Sequence, residues 1–374
     1  MDNPKSEASR QPESADSVVA VFEGRKELLA TLCARTMNLV EECLEGSQIR
    51  YQSVQARVKS TKKLREKYTD PAKGYTGLDD IIDLAGLRVI TYYEDEVDQV
   101  AELIRGEFEI DDAKSIDKRN TSVDGFSYHA INYICRYSAQ RRTSVEYKKF
   151  AATWFEIQIT SILRHAWAEI EHDWYDLKEA FPPEIKRRFY RMAALLEVAE
   201  SEFLELRNKR KGYERSIAVQ IEANVTGIPI NAVTMASFID QDPLISRIND
   251  TLASILGAPS IVPSARQGEL ASHIAARLGL KTVESLRALL EAHESQIIEY
   301  STIGSAYIPR TPNANLTRAA SIFRLGLLLI ANRGEKELSE FLISISSLAK
   351  FPENVNTKAL TDLAKKVLAA KTGQ

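Results

Sequence analysis

Long apolar runs are absent from this 374-residue chain: stretches such as Leu325 to Ala331 stop far short of the roughly 20 residues a bilayer-spanning helix needs, so no membrane span is expected. Cysteine is scarce. Cys33, Cys43 and Cys135 lie far apart, each among apolar neighbours, which argues against a disulfide framework or a zinc site and for buried thiols. An excess of one charge is also missing. With 49 basic and 52 acidic residues the net charge is -3, so no global field recruits nucleic acid and any anion site must be local. Proline is sparse at 12 residues, while 44% apolar and 27% charged residues suit a soluble globular protein of two or three domains. The polar segment Met1 to Asp16 lacks the basic-then-apolar pattern of an export signal. It reads as a disordered tail, and the protein is expected to be cytoplasmic.

What is present is periodicity. Apolar residues recur at three and four from Val18 to Leu44, as on a core-facing helix, and Ser60 to Tyr68 continues as a basic helix. After the break at Gly74 to Gly77, Leu78 to Leu84 reads as a short helix ending near Gly86, and Leu87 to Tyr93 as a buried strand. Asp95 to Arg105 is helical, and Ser127 to Tyr137 and Thr153 to Thr160 are β-rich. The fold class is therefore α/β (α+β), a mixed sheet flanked by helices. Beyond it, Leu163, Trp167, Ile170, Trp174 and Leu177 form one stripe of a helix and His165, Glu169, His172 and Asp176 the opposite one. After Pro182 and Pro183, the spacing of Ile185, Phe189, Met192, Leu196, Ala199, Phe203 and Leu206 makes a heptad seam. Such a seam can dock on its own domain or zip to a second copy in a homo-oligomer. Past Arg207 to Arg215 the composition turns to Leu, Ile, Ala and Ser, with helices expected over 268–278, 283–300, 316–332, 336–348 and 357–370. The expected division is a tail over 1–16, an α/β domain with its trailing helix over 17–211, and an all-α C-terminal region over 217–374.

Three clusters can carry chemistry. Arg57, Lys59, Ser60, Lys62, Lys63, Arg65 and Lys67 concentrate guanidinium and ammonium donors of the kinds that hold polyphosphate and stack on a base; a solvated helix face looks the same. In DIIDLAGLRV, Asp80, Asp83 and Arg88 can face one cleft, where a carboxylate suits magnesium or a structural pair with Arg88. In FEIQITSILRHAWAEIEH, Glu156 and Gln158 point to one side of a strand. A carboxylate flanked by Phe155 and Ile157 is costly to bury unless a charge or a metal meets it.

These residues resemble the nucleotide pyrophosphokinase domain of RelA/SpoT-type alarmone synthetases, particularly the small synthetases, over roughly residues 50 to 178. RVKSTKKLREK is similar to the family's Arg-x-Lys-Ser segment, DIIDLAGLRV to its Asp-x-x-Gly-x-Arg segment, and FEIQITSILRHAWAEIEH to its Glu-x-Gln strand with the HAWAEI helix. The resemblance implies a nucleotidyltransferase-like fold and transfer of the β,γ-pyrophosphate of ATP to the 3′-hydroxyl of GDP or GTP, making guanosine tetra- or pentaphosphate. It implies that Arg57 and Arg88 sandwich adenine, that Lys59, Ser60, Lys63 and Lys67 surround the ATP phosphates, and that Asp83 holds magnesium. Glu156 would bind a second magnesium or accept the hydroxyl proton, supported by Gln158, His165 and Glu169.

The acceptor loop departs from the family. DGFSYHA stands where Gly-Tyr-x-Ser-x-His is usual, so Phe126 or Tyr128 must supply the stacking ring beside Ser127 and His129, and Thr160 and Ser161 replace Arg-Thr. This admits an alternative the family also contains, a toxin that pyrophosphorylates the 3′ end of tRNA, with Arg141, Arg142, Lys148, Lys149, Lys186, Arg187, Arg188 and Arg191 as its basic path. The C-terminal region would then be a fused inhibitor or phage sensor. A third reading is an inactive nucleotide-binding scaffold, against which the intact Arg57, Lys59, Asp83, Arg88 and Glu156 argue. The lone His172-Asp173 pair lacks the further ligands of a metal hydrolase, and His165 with His172 lacks those of a zinc site.

Overall fold

A computed structural model describes residues 12–117, 130–175, 181–308, 315–348 and 355–370, without the side chains of 173–175. The chain divides into two compact units, Met1–Arg207 and Asn208–Gln374. Among the described residues no helix is long and apolar enough to cross a membrane.

The first unit begins with helix α1, Ala15–Gly46, which buries Val18, Phe22, Leu29, Leu32, Val40 and Leu44 along one stripe. Residues 1–11 of the expected tail lie outside the described residues, but its last residues are held in place. Ser14 caps α1 by accepting from Ser17 N–H, Glu13 donates its N–H to the Thr76 carbonyl at 3.0 Å, and Asp16 pairs with Arg65 at 2.7 Å. Strand β1 (Ser53–Val58) leads to helix α2 (Thr61–Tyr68), whose N-cap is Ser60. The helix expected over 78–84 reduces to a single 3-10 turn, Leu78–Asp80, and Gly86 lies inside strand β2 (Ala85–Thr91) instead of at a helix end. The Asp80 carboxylate folds back to accept from the N–H groups of Thr76 and Gly77 and so fixes the start of this turn.

Helix α3 (Glu94–Glu107) buries Val97, Val100 and Ile104, and short strands β3 (Phe108–Ile110) and β4 (Ile116–Asp117) follow. Strand β5 (Ile131–Tyr137), the one-turn helix α4 (Ala139–Arg142), strand β6 (Phe155–Ser161) and helix α5 (Ile162–Tyr175) complete the α/β part. The strand order is β1-β2-β6-β5-β3, with β4 also on β5; β2 and β6 run parallel and the other pairs antiparallel. Alternation then sorts the residues. Val54, Leu87, Val89, Phe155, Ile157, Ile159, Tyr133 and Cys135 join α1 and α3 in one buried core, and the polar partners point to the other face.

Helix α6 (Pro183–Glu222) departs from its expected seam. Phe189 and Leu196 pack with Ala193 against Trp167 of α5, whereas Met192, Phe203 and Leu206 are each more than half exposed. The buried line runs instead through Glu200 and Arg207, which pair with Arg164 and with Asp95 and Glu96. A heptad pattern counts apolar residues and misses a face held by charge. Ile170, expected in the α5 core stripe, is 51% exposed.

The second unit is helical: α7 (Ala232–Gln241), α8 (Pro243–Leu256), α9 (Gln267–Arg277), α10 (Val283–Ala292), α11 (Glu294–Gly304), α12 (Ala320–Ala331), α13 (Glu335–Ile345) and α14 (Thr357–Ala369). The segment expected as one helix over 283–300 is two, breaking at His293. The segment 316–332 opens on a two-residue strand, β8 (Leu316–Thr317), paired in parallel with β7 (Ile261–Val262). Helices α7 and α9 touch backbone to backbone at Gly268, where an added Cβ would sit 2.0 Å from the Ala232 carbonyl oxygen. Gly268→Ala is therefore expected to lower stability by about 2 kcal/mol or more, because the helices must move apart. Gly24→Ala, in the exposed middle of α1 with nothing within 4 Å of the new methyl, is expected to raise it by about 0.5–1 kcal/mol. Urea unfolding of both variants checks the pair.

Candidate active site

The register of the sheet assembles the site. On the face away from the core, Arg57 of β1, Gly86 of β2 and Glu156 of β6 lie in one cross-strand row, and Gln55, Arg88, Gln158 and Asn132 in the next. Gly86 leaves the space between Arg57 and Glu156 free of a side chain. Gln55, Arg57, Gly86, Arg88, Glu156 and Gln158 thus line a cavity of about 120 Å³.

At the end of the β1/β2 ladder the Lys59 N–H donates to the Leu84 carbonyl at 2.9 Å, which brings Lys59 beside Asp83. The Asp83 Oδ2 accepts from Lys59 Nζ at 2.8 Å and from Lys67 Nζ of α2 at 2.7 Å. Its Oδ1 is buried and has no hydrogen-bond partner. Burial alone would raise the Asp83 pKa, but the hydrogen bonds and charges of the two lysines outweigh it and hold the carboxyl below its usual value. Burial in turn works against the Lys67 charge, and Asp83, with Tyr75 and Glu156 nearby, more than restores it.

Arg88 is held on three sides. Its Nε donates to Gln158 Oε1 at 3.1 Å, and its Nη1 to Glu169 Oε1 at 2.6 Å and to His165 Nδ1 at 3.1 Å. Guanidinium has no acceptor, so Nδ1 must accept and the ring proton of neutral His165 sits on Nε2. Burial and the Arg88 charge both lower the His165 pKa, in keeping with that tautomer. Glu156 is also oriented: Oε1 accepts from Asn132 Nδ2 at 2.9 Å and Oε2 from Gln158 Nε2 at 3.0 Å.

The structure thus brings together Lys59, Lys67, Asp83, Arg88, Glu156, Gln158, His165 and Glu169. Arg57 and Lys63 are exposed, and among the described residues neither side chain has a hydrogen-bond or ion-pair partner. Ser60 already has a duty, its oxygen accepting from Lys63 N–H as the cap of α2. Phe126, Ser127, Tyr128 and His129 lie outside the described residues. Asn132 was not anticipated. Its signal is the polar residue alternating between Ile131 and Tyr133, legible only once β5 is known to lie beside Gln158. Ser161 caps α5 by accepting from Arg164 N–H at 3.3 Å.

The basic path expected for RNA is partly neutralised: Arg141 pairs with Glu107, and Arg142 with Glu109. His172 is exposed, and no group of three or more potential metal ligands forms among the described residues. Magnesium asks for less. It binds through one or two carboxylates and takes its other oxygens from phosphate and water, so the unpartnered Oδ1 of Asp83 and the carboxylate of Glu156 fit it.

Asp83→Asn should leave two largely covered ammonium groups facing each other and cost about 1–3 kcal/mol at pH 7. Because the folded carboxyl titrates below its unfolded value, this contribution is present above about pH 4 and disappears as pH falls through the folded value. Urea unfolding of both proteins from pH 7 downward should therefore show their difference shrinking in acid; a constant difference would contradict the pairing.

Residues 56–179 match the model of the region found in RelA/SpoT proteins. No curated protein matches the chain. Among solved structures, the small alarmone synthetase 1 from Bacillus subtilis is 19% identical, with a TM-score of 0.41 over 51% of this chain and 99% of that one. A GTP pyrophosphokinase family protein from Streptococcus pneumoniae is 22% identical, with a TM-score of 0.41 over 52% and 94% of the respective chains. The smu.1046c protein of Streptococcus mutans is 23% identical, with a TM-score of 0.40 over 50% and 95%. The matched segment runs from within β1 through α5 and contains Arg57, Lys59, Asp83, Arg88, Glu156, His165 and Glu169, so the site residues lie in the part of the chain that is similar to the region found in RelA/SpoT proteins.

Proposed function

We propose that this protein is an ATP-dependent pyrophosphokinase that transfers the β,γ-pyrophosphate of ATP to the 3′-hydroxyl of GDP or GTP. The observation that carries the reading is the placement of Asp83, between Lys59 and Lys67, beside the polar sheet face of Arg57, Arg88 and Glu156, within a RelA/SpoT-type segment. A guanidinium pair suits a flat base, ammonium groups suit polyphosphate, and an oriented carboxylate suits a hydroxyl proton.

In this reading Arg88, fixed by Gln158, His165 and Glu169, offers its plane to the adenine, with the exposed Arg57 closing from β1. Lys59 and Lys67 meet the phosphates, joined by Lys63 from the exposed side of α2. Asp83 and Glu156 would hold magnesium, which when bound neutralises charge on the phosphate oxygens. Glu156 takes the proton of the attacking 3′-hydroxyl as the new bond forms between its oxygen and the β-phosphorus. The bond from the β-phosphorus to the oxygen shared with the α-phosphate breaks, and AMP leaves with that electron pair. Little covalent chemistry falls to the protein, so positioning and charge neutralisation supply the rate.

Incubation of the full chain with ATP labelled at the γ-phosphate, magnesium and GDP, GTP or bulk tRNA tests this reading. Label should appear in guanosine tetra- or pentaphosphate, and Glu156→Gln, nearly the same shape without the charge, should reduce transfer at least a hundredfold. Label in tRNA alone would replace the acceptor, and label in neither would leave a nucleotide-binding scaffold.

A further inference from the structure

Helix α5 carries two of the three groups that hold Arg88, yet it is thinly anchored. Among its described side chains only Trp167 is buried, packed on Phe189 of α6 with ring centroids 4.4 Å apart. Leu163, partly buried, joins Trp167 in the same apolar patch with Ala193 and Leu196, and a contact on a further side of the helix is needed to set its rotation about that patch. Arg164 supplies that contact. It lies three residues before Trp167 on the side of α5 away from His165 and Glu169, and its side chain is 13% exposed. Its Nε donates to Glu200 Oε2 of α6 at 2.9 Å and its Nη2 to Glu94 at the start of α3. Glu200 is itself 4% exposed, so this pair is shielded from water, and with Glu94 the three side chains join α5, α6 and α3.

Resting on the assignment of the Arg88 face to ATP, we infer that Arg164 is a positioning residue for nucleotide binding: clamped by Glu200 and Glu94, it sets the rotation of α5 that lets His165 and Glu169 hold Arg88. The bonds it protects are short and directional, 2.6 Å to Glu169 and 3.1 Å to His165, and a displacement of α5 by a fraction of an ångström breaks them. A lysine at 164 keeps the charge but lacks the planar fork that reaches two carboxylates at once.

Titration calorimetry of ATP with the full chain tests this. Arg164→Gln is expected to weaken ATP at least tenfold, and Arg164→Lys to recover part of that loss. In an Arg88→Gln background, Arg164→Gln should change the affinity less than twofold, because the guanidinium it positions is gone; a purely structural role would carry the full effect into both backgrounds. Should Arg164→Gln unfold at the assay temperature, Glu200→Gln is the milder variant, since Arg164 keeps Glu94, and a loss of about threefold is expected. Unchanged affinity in the folded variants, or an undiminished effect in the Arg88→Gln background, would overturn the inference alone. A wild-type chain that does not bind ATP would overturn the ATP reading and this inference with it.

Discussion

The parallel pairing of β2 with β6 is the constraint on which the site depends. It sets Gly86 opposite Glu156 and Arg88 opposite Gln158, and the antiparallel neighbours β1 and β5 add Arg57 and Asn132 to the same two rows. A slip of one residue would turn Arg88 and Glu156 into the hydrophobic core and Leu87 and Ile157 out of it. The buried face therefore enforces the polar one. Packing of Leu87, Val89, Ile157 and Ile159 with α1 and α3 holds the charged groups of the other face in register.

Charge then organises the periphery of that sheet. Asp83 is ionised because Lys59 and Lys67 outweigh the effect of its burial, and the lysines are brought near one another because Asp83 lies between them. One carboxylate between two ammonium groups leaves a net charge of +1. The arrangement holds the two ammonium groups in place and leaves the second oxygen of Asp83 without a partner. Arg88 follows the same logic, with a carboxylate, an amide and a neutral imidazole filling its donors from the edge.

The two units differ in how far their sequences could be read. In the first, strands alternate and the motifs are local, so β2, β6 and α5 were legible to within a few residues, whereas no strand was expected where β1 lies. In the second, α7 and α8 carry no motif and went unassigned, and the break at His293 fell inside one continuous apolar pattern. A helix pair with a sharp corner keeps almost the same periodicity as one long helix. The seam of α6 misled for a different reason: its buried contacts at Glu200 and Arg207 are ion pairs, which a search for apolar spacing passes over.

The sequence by itself determined which residues could do chemistry: a basic run at 57–67, a carboxylate at Asp83, and the Glu156, Gln158, His165 and Glu169 series. It could do so because phosphate-binding and proton-accepting groups are few in kind and their spacing along strand and helix is local. Only the tertiary structure decided their partners. That Ser60 is a helix cap, that Asp80 is consumed by a turn, that Asn132 orients Glu156 and that Arg164 braces α5 all depend on which strands are neighbours and which helix faces which, a matter of long-range packing that no local pattern encodes.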